Sequence, residues 1–118
     1  MEPEHEEVIQ RAAEKGIGTI IRGGVALGTP NLEDAAKRQT GVKVKNRWET
    51  ADLGSLAPDL DPMEMLLRFT ASHPHINSII AGTQNLDHIA NNIATIQKGA
   101  LDGDLVRQIK DRVASIMD

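Results

Sequence analysis

Hydrophobic and polar positions follow two rhythms along this chain. Two short runs rich in β-branched residues, 17–22 (IGTIIR) and 76–81 (INSIIA), are each the length of one buried strand, and both are followed directly by glycine. Elsewhere apolar residues recur at spacings of three and four, the period of a helix with one buried face. Residues 1–15 predict a helix, with Pro3 in its first turn and Glu4, Glu6 and Glu7 at the positive end of its dipole. Val8, Ile9, Ala12 and Ala13 give its apolar stripe, and Gly16 is its stop. Residues 61–73 predict a second helix: Asp61 caps, Pro62 takes the first position, and Glu64 completes a capping box. Its face is Met63, Leu66, Leu67 and Thr70, and Pro74 ends it. A third helix runs from the turn at Asn85 to about Lys98, with Ile89, Ile93 and Ile96 turned inward and Gly99 as the stop. A fourth, 102–116, carries Leu105, Ile109, Val113 and Ile116.

Residues 29–60 keep neither rhythm. Leu32 to Gln39 suits one or two helical turns, 41–46 alternate weakly, and 48–60 mix Gly54, Pro58 and acids with scattered leucines. The expectation is a largely irregular stretch, with Trp48 and Leu53 or Leu56 docking onto neighbouring helices.

The stretch 76–93 (INSIIAGTQNLDHIANNI) concentrates the candidate chemistry. A strand that stops at a small-residue turn and enters a helix aims backbone N–H groups beyond the strand's carboxyl end, an arrangement suited to a phosphate. Thr83, Gln84, His88, Asn91 and Asn92 are then positioned to read whatever carries it. An ordinary strand-turn-helix joint accounts for the same residues without a ligand. Gly23-Gly24 likewise permits close backbone approach, or simply a tight turn.

Composition narrows the field. The 118 residues amount to one domain at most, and 13 basic against 17 acidic residues leave no cationic stripe for nucleic acid. There is no cysteine, hence no disulfide, thiolate-zinc site or thiol nucleophile. No apolar run reaches the roughly 20 residues of a membrane span, and no signal peptide opens the chain. A cytoplasmic protein without membrane contact is expected. His73 and His75 flank Pro74 without a carboxylate at ligand spacing, so no metal is expected.

A helix separates the two strands, which predicts a parallel crossover between them. Parallel sheets need cover on both faces and are rarely two strands wide. The expected fold is therefore α/β: two short parallel strands and about four helices, forming a single partial domain cut from a larger repeating βα structure. Its strand ends near Gly23 and Gly82 would share one face, as the loops do in a (β/α)8 barrel. The two strand edges it leaves bare invite pairing of two copies into a homodimer.

In this order and spacing, GIGTIIRGGVALG, MEMLLRFTASHP and INSIIAGTQNLDHIANNIATIQKGALDGDLV resemble the C-terminal part of the aldo-keto reductases, across nearly the whole chain and most weakly over 29–60. Members of that family are (β/α)8 barrels that reduce aldehydes and ketones with NAD(P)H. The resemblance implies that 17–22 is the seventh barrel strand, 76–81 the eighth, and 102–116 the closing helix. It implies Arg22 against the nicotinamide ring, and Gly23, Val25 and Leu27 along the pyrophosphate. Gly82 and Thr83, with Gln84 beside them, fall at the adenosine 2′-phosphate, His88 at the same phosphate, and Asn91 and Asn92 at adenine. NADP(H) is the implied cofactor. NAD stays open, because no Lys or Arg occurs from Gly82 to Asn92. Gly23-Gly24 also departs from the Ser-Pro usual in the family. The family's Asp-Tyr-Lys-His tetrad belongs to the other half of the barrel, and this sequence has no tyrosine at all. The chain by itself is expected to be inactive.

Overall fold

A computed structural model describes residues 3–22, 32–35, 37, 39–80, 82 and 84–116. In chain order these form α1 (Pro3–Glu14), β1 (Ile20–Arg22), α2 (Leu32–Ala35), α3 (Gln39–Thr50), a 3₁₀ turn (Leu53–Leu56), α4 (Pro62–Ala71), β2 (Ser78–Ile80), α5 (Leu86–Gln97) and α6 (Gly103–Ile116). The class is α/β and mostly helical. No helix among the described residues is long and apolar enough to cross a membrane.

The strands pair in parallel, Ile20 with Ser78, Ile21 with Ile79 and Arg22 with Ile80. They are shorter than the apolar runs that announce them. Ahead of the ladder, side chains take over: Asn77 Oδ1 accepts from the Thr19 N–H at 2.8 Å, and Thr19 Oγ1 donates to the His75 carbonyl at 2.7 Å. Parallel neighbours in register point the same way, so Ile20, Arg22, Ser78 and Ile80 share one exposed face. Ile21 and Ile79 share the other, half-buried one.

Helix ends obey their local chemistry. Asp61 accepts from the Met63 and Glu64 amides at 2.9 and 3.2 Å, and Pro62 opens α4. The Glu64 carboxylate closes no box; it bonds Arg68 and Lys98 instead. Gly16 and Gly99 both sit at positive φ, 71° and 83°, just past α1 and α5, where a side chain would be strained.

The core lies between α3, the 3₁₀ turn, α4 and α6. Met65 is its most buried side chain at 1% exposure, joined by Ala51, Leu53, Leu101 and Ile109. Trp48, Leu56, Phe69, Leu105, Val113 and Ile116 pack against these, so the docking expected of Trp48 and of Leu53 or Leu56 is met. On α4 the buried set is Met63, Met65, Leu67 and Thr70, with Leu66 only half-buried.

Two expectations fail. Residues 29–60 are not an irregular region: α2, the twelve-residue α3 and the 3₁₀ turn occupy most of the described part. The alternation of Val42 and Val44 with Lys43 and Lys45 hides a helical repeat, Val44, Arg47, Trp48 and Ala51, at i, i+3, i+4 and i+7. Lys45 adds an i, i+4 ion pair to Glu49 at 3.5 Å and another to Glu33 at 3.1 Å. Among the described residues this makes five helices of ten residues or more, beside the about four expected.

The second failure is α5. Ile89, Ile93 and Ile96 are 38%, 55% and 44% exposed, and Leu86 is 78% exposed. The helix instead turns His88, Asn92 and Thr95 toward the protein, Thr95 being buried. What holds that side is polar. Arg68 on α4 donates to the Gly99 and Ala100 carbonyls at 3.0 and 3.2 Å, and Lys98 pairs with Glu64 at 3.0 Å.

Candidate functional site

Two of the candidate residues, Arg22 and Gly82, stand where the strands end. Arg22 closes β1 directly opposite Ile80, which closes β2, so both strands release the chain on one side of the sheet. Arg22 is exposed on the open face. Gly82 follows two residues after Ile80, also exposed, and a Cβ placed there would meet no atom within 4 Å. That room admits a ligand against the backbone, although the same openness belongs to any surface turn. Gln84 is exposed beside it. Gly23, Val25, Leu27 and Thr83 lie outside the described residues.

The amino end of α5 is already engaged. Asn85 is its cap, with Oδ1 accepting from the Asp87 amide at 2.9 Å and the His88 amide at 3.4 Å. The free first-turn amides expected of a phosphate cradle are therefore occupied in part by a side chain, and Asp87 adds a negative charge in the same turn. An anion here must use the amides of the turn itself or displace Asn85. Sequence reasoning passed over this cap, although Asn directly before a helical repeat is its usual signal.

His88, Asn91 and Asn92 follow at i, i+3 and i+4 on one side of α5, so the helix does bring them together. His88 and Asn92 are half-buried and Asn91 is exposed. Arg22 stands on the neighbouring strand and is joined to this group only through the β1–β2 register.

The histidines flanking Pro74 serve the backbone. The His75 N–H donates to His73 Nδ1 at 3.1 Å, which leaves His73 neutral with its proton on Nε2. Burial, chiefly, pushes the His73 pKa below its ordinary value, with Lys110 and His75 adding to the shift and Glu6 opposing it. No group of three or more metal-ligating side chains assembles among the described residues.

Comparison of this chain with protein-family models, with curated proteins and with solved structures returned no match.

Proposed function

We propose that this chain is the cofactor-facing sector of an aldo-keto-reductase-like (β/α)8 barrel. It would contribute strand ends, a glycine turn and a helix start to a nicotinamide dinucleotide site, NADP(H) by resemblance, while carbonyl reduction belongs to residues outside this sequence. The observation that carries this reading is the parallel register of β1 and β2. It brings Arg22, Ile80 and the approach to Gly82 out on one side, and it divides the strands into a half-buried face and an exposed one. Barrel strands have that division, with side chains on the inner face meeting those of other strands. Arg22, Gly82, Gln84, His88, Asn91 and Asn92 are the described residues assigned to the dinucleotide, with Gly23, Val25, Leu27 and Thr83 assigned by resemblance alone.

Titrating the isotopically labelled chain with NADP⁺, NAD⁺ and 2′,5′-ADP, followed by amide NMR, tests the assignment. Weak, millimolar binding is expected, with shifts gathered at Arg22 and at residues 82–92. Shifts confined to other surfaces, or none at millimolar ligand, would overturn it. A carbonyl reductase assay with NADPH is expected to read blank, and turnover would refute the statement that the proton donor is elsewhere.

A second reading has its own support. The accessible surface is 7594 Å², against about 6,300 Å² for a compact monomer of this 12.8 kDa mass. Much of what is uncovered is aliphatic: Ile20 and Ile80 on the strands, and Leu86, Ile89, Ile93 and Ile96 on α5. A self-associating, non-catalytic module would bury such surface against a second copy. Sedimentation separates the two: a discrete dimer with cooperative melting favours the module, and a monomer favours the sector.

A further inference from the structure

Helix α5 wears its large apolar residues on the outside. Its protein-facing side is His88, Asn92 and Thr95, whereas Leu86, Ile89, Ile93 and Ile96 are 78%, 38%, 55% and 44% exposed. Those four follow one another at intervals of three, four and three residues, the a and d positions of a heptad. A helix lying on a globular core carries a broader stripe, and this narrow spacing is the seam by which two helices pair. The positions flanking the seam are Asn85, Ala90, Asn92 and Gln97, so no Asp, Glu, Lys or Arg stands beside it.

We propose that α5 is the contact between two copies of this chain, packed antiparallel about a two-fold axis level with Asn91. Leu86 of one copy then opposes Ile96 of the other, and Ile89 opposes Ile93, each pair occurring twice. The spacing three-four-three reads the same in both directions, which makes the seam complementary to itself. Charge selects the same occupant. Each chain carries a net charge of −4, and an uncharged seam lets two of them meet without opposing like charges across the contact. Area permits it as well. The accessible surface exceeds that of a compact monomer by about 1,300 Å², more than the roughly 800 Å² each partner gives to a standard interface. A lipid surface fits less well, because it favours Lys and Arg on the helix's polar face and Leu86–Gln97 contains neither. The contact rests on the self-associating reading, to which it gives an interface, and is independent of the dinucleotide assignment.

Sedimentation equilibrium of the full chain from about 5 to about 500 μM is expected to show monomer and dimer with a micromolar Kd. Ile93→Lys should raise that Kd about tenfold or more with the helical circular dichroism unchanged. Ile80→Lys, on the exposed strand face, should leave it as it is. If Ile93→Lys does not fold, Leu86→Lys, at the most exposed position of the seam, makes the same test. Register is read by cross-linking, since the chain has no cysteine of its own. Ile89→Cys and Ile93→Cys chains mixed together should oxidise to the mixed disulfide faster than either pairs with itself. A monomer up to about 500 μM overturns the contact and self-association with it. A dimer weakened by Ile80→Lys and not by Ile93→Lys overturns the contact while self-association stands. Cross-linking fastest between two Ile93→Cys chains overturns the antiparallel packing.

Discussion

Arg68 ties α4 to two carbonyls just past the end of α5, and replacing it with methionine isolates that role. Methionine keeps the stem and its packing but removes the guanidinium. Three interactions go: to Glu64 Oε1 at 3.1 Å, to the Gly99 carbonyl at 3.0 Å and to the Ala100 carbonyl at 3.2 Å. Gly99 and Ala100 are exposed, so water can take the vacated carbonyls, and those two losses cost little beyond the bonds themselves. Glu64 is a different case, because its side chain is only 15% exposed and it is left with Lys98 alone. Together these come to about 2 kcal/mol. At roughly 2.1 cal/mol/K per residue, a chain of 118 residues unfolds with an entropy of about 0.25 kcal/mol/K, so the expected fall in Tm is about 8 °C.

Lys98→Met is the control. Lys98 is 54% exposed, so its ion pair with the same carboxylate is worth about 0.5 kcal/mol and about 2 °C. The assay is thermal unfolding by circular dichroism, repeated across pH. The hydrogen bonds from Lys98 and then from Arg68 hold the Glu64 carboxyl below its ordinary pKa. A depressed carboxylate stabilises the fold above its unfolded pKa and loses that contribution as pH falls through the folded value. The gap between wild type and Arg68→Met should therefore be full at neutral pH and should narrow in acid, below about pH 4.5. An Arg68→Met fall no larger than that of Lys98→Met, or a gap that widens in acid, would refute the clamp.

Other outcomes follow from the same structure. Ile93→Lys should shift Tm by less than about 2 °C and reduce any self-association seen by sedimentation, because the side chain is 55% exposed; a loss above about 5 °C would mean that it is buried after all. Asn85→Ala should cost about 1 kcal/mol and speed hydrogen exchange at the Asp87 and His88 amides while leaving α4 unchanged, and unaltered exchange there would contradict the cap. His73 binds its proton less readily folded than unfolded, so stability should fall as pH drops from about 7 through 6.5 toward its lowered folded pKa. His73→Asn should flatten that part of the pH–Tm curve, and a curve identical to wild type would place the dependence elsewhere.

The elements that the sequence announced clearly are those with strong local punctuation. Asp61-Pro62 before an apolar repeat, Gly16 and Gly99 after one, and two β-branched runs required no tertiary information, and all of them hold. Helix α3 was missed because Val42 and Val44 present a period of two while the helical repeat is carried partly by Arg47, a charged residue that is half-buried here. The orientation of α5 was illegible for a deeper reason. An amphipathic pattern says that two faces differ, and only the neighbours decide which face is covered. Here α4 offers Glu64 and Arg68 to α5 and its C-terminal turn, and these take the polar side and the carbonyl end. At the candidate site, the chain order of Gly82, His88, Asn91 and Asn92 was readable, whereas Asn85 occupying the helix's own amides was a matter of side-chain geometry.

The seam between the strands also sets a schedule. Thr19 commits its N–H and hydroxyl to Asn77 and His75, partners that leave the ribosome more than fifty residues later. Local helical turns close in microseconds or less, but this junction must wait for the intervening chain and carries the entropy of a very long loop. Ile20 and Ile79 are accordingly expected to acquire exchange protection last in pulse-labelled refolding, and early protection there would reverse the order. A nascent chain of this sequence is expected to hold the segment around Thr19 unattached until Asn77 has emerged.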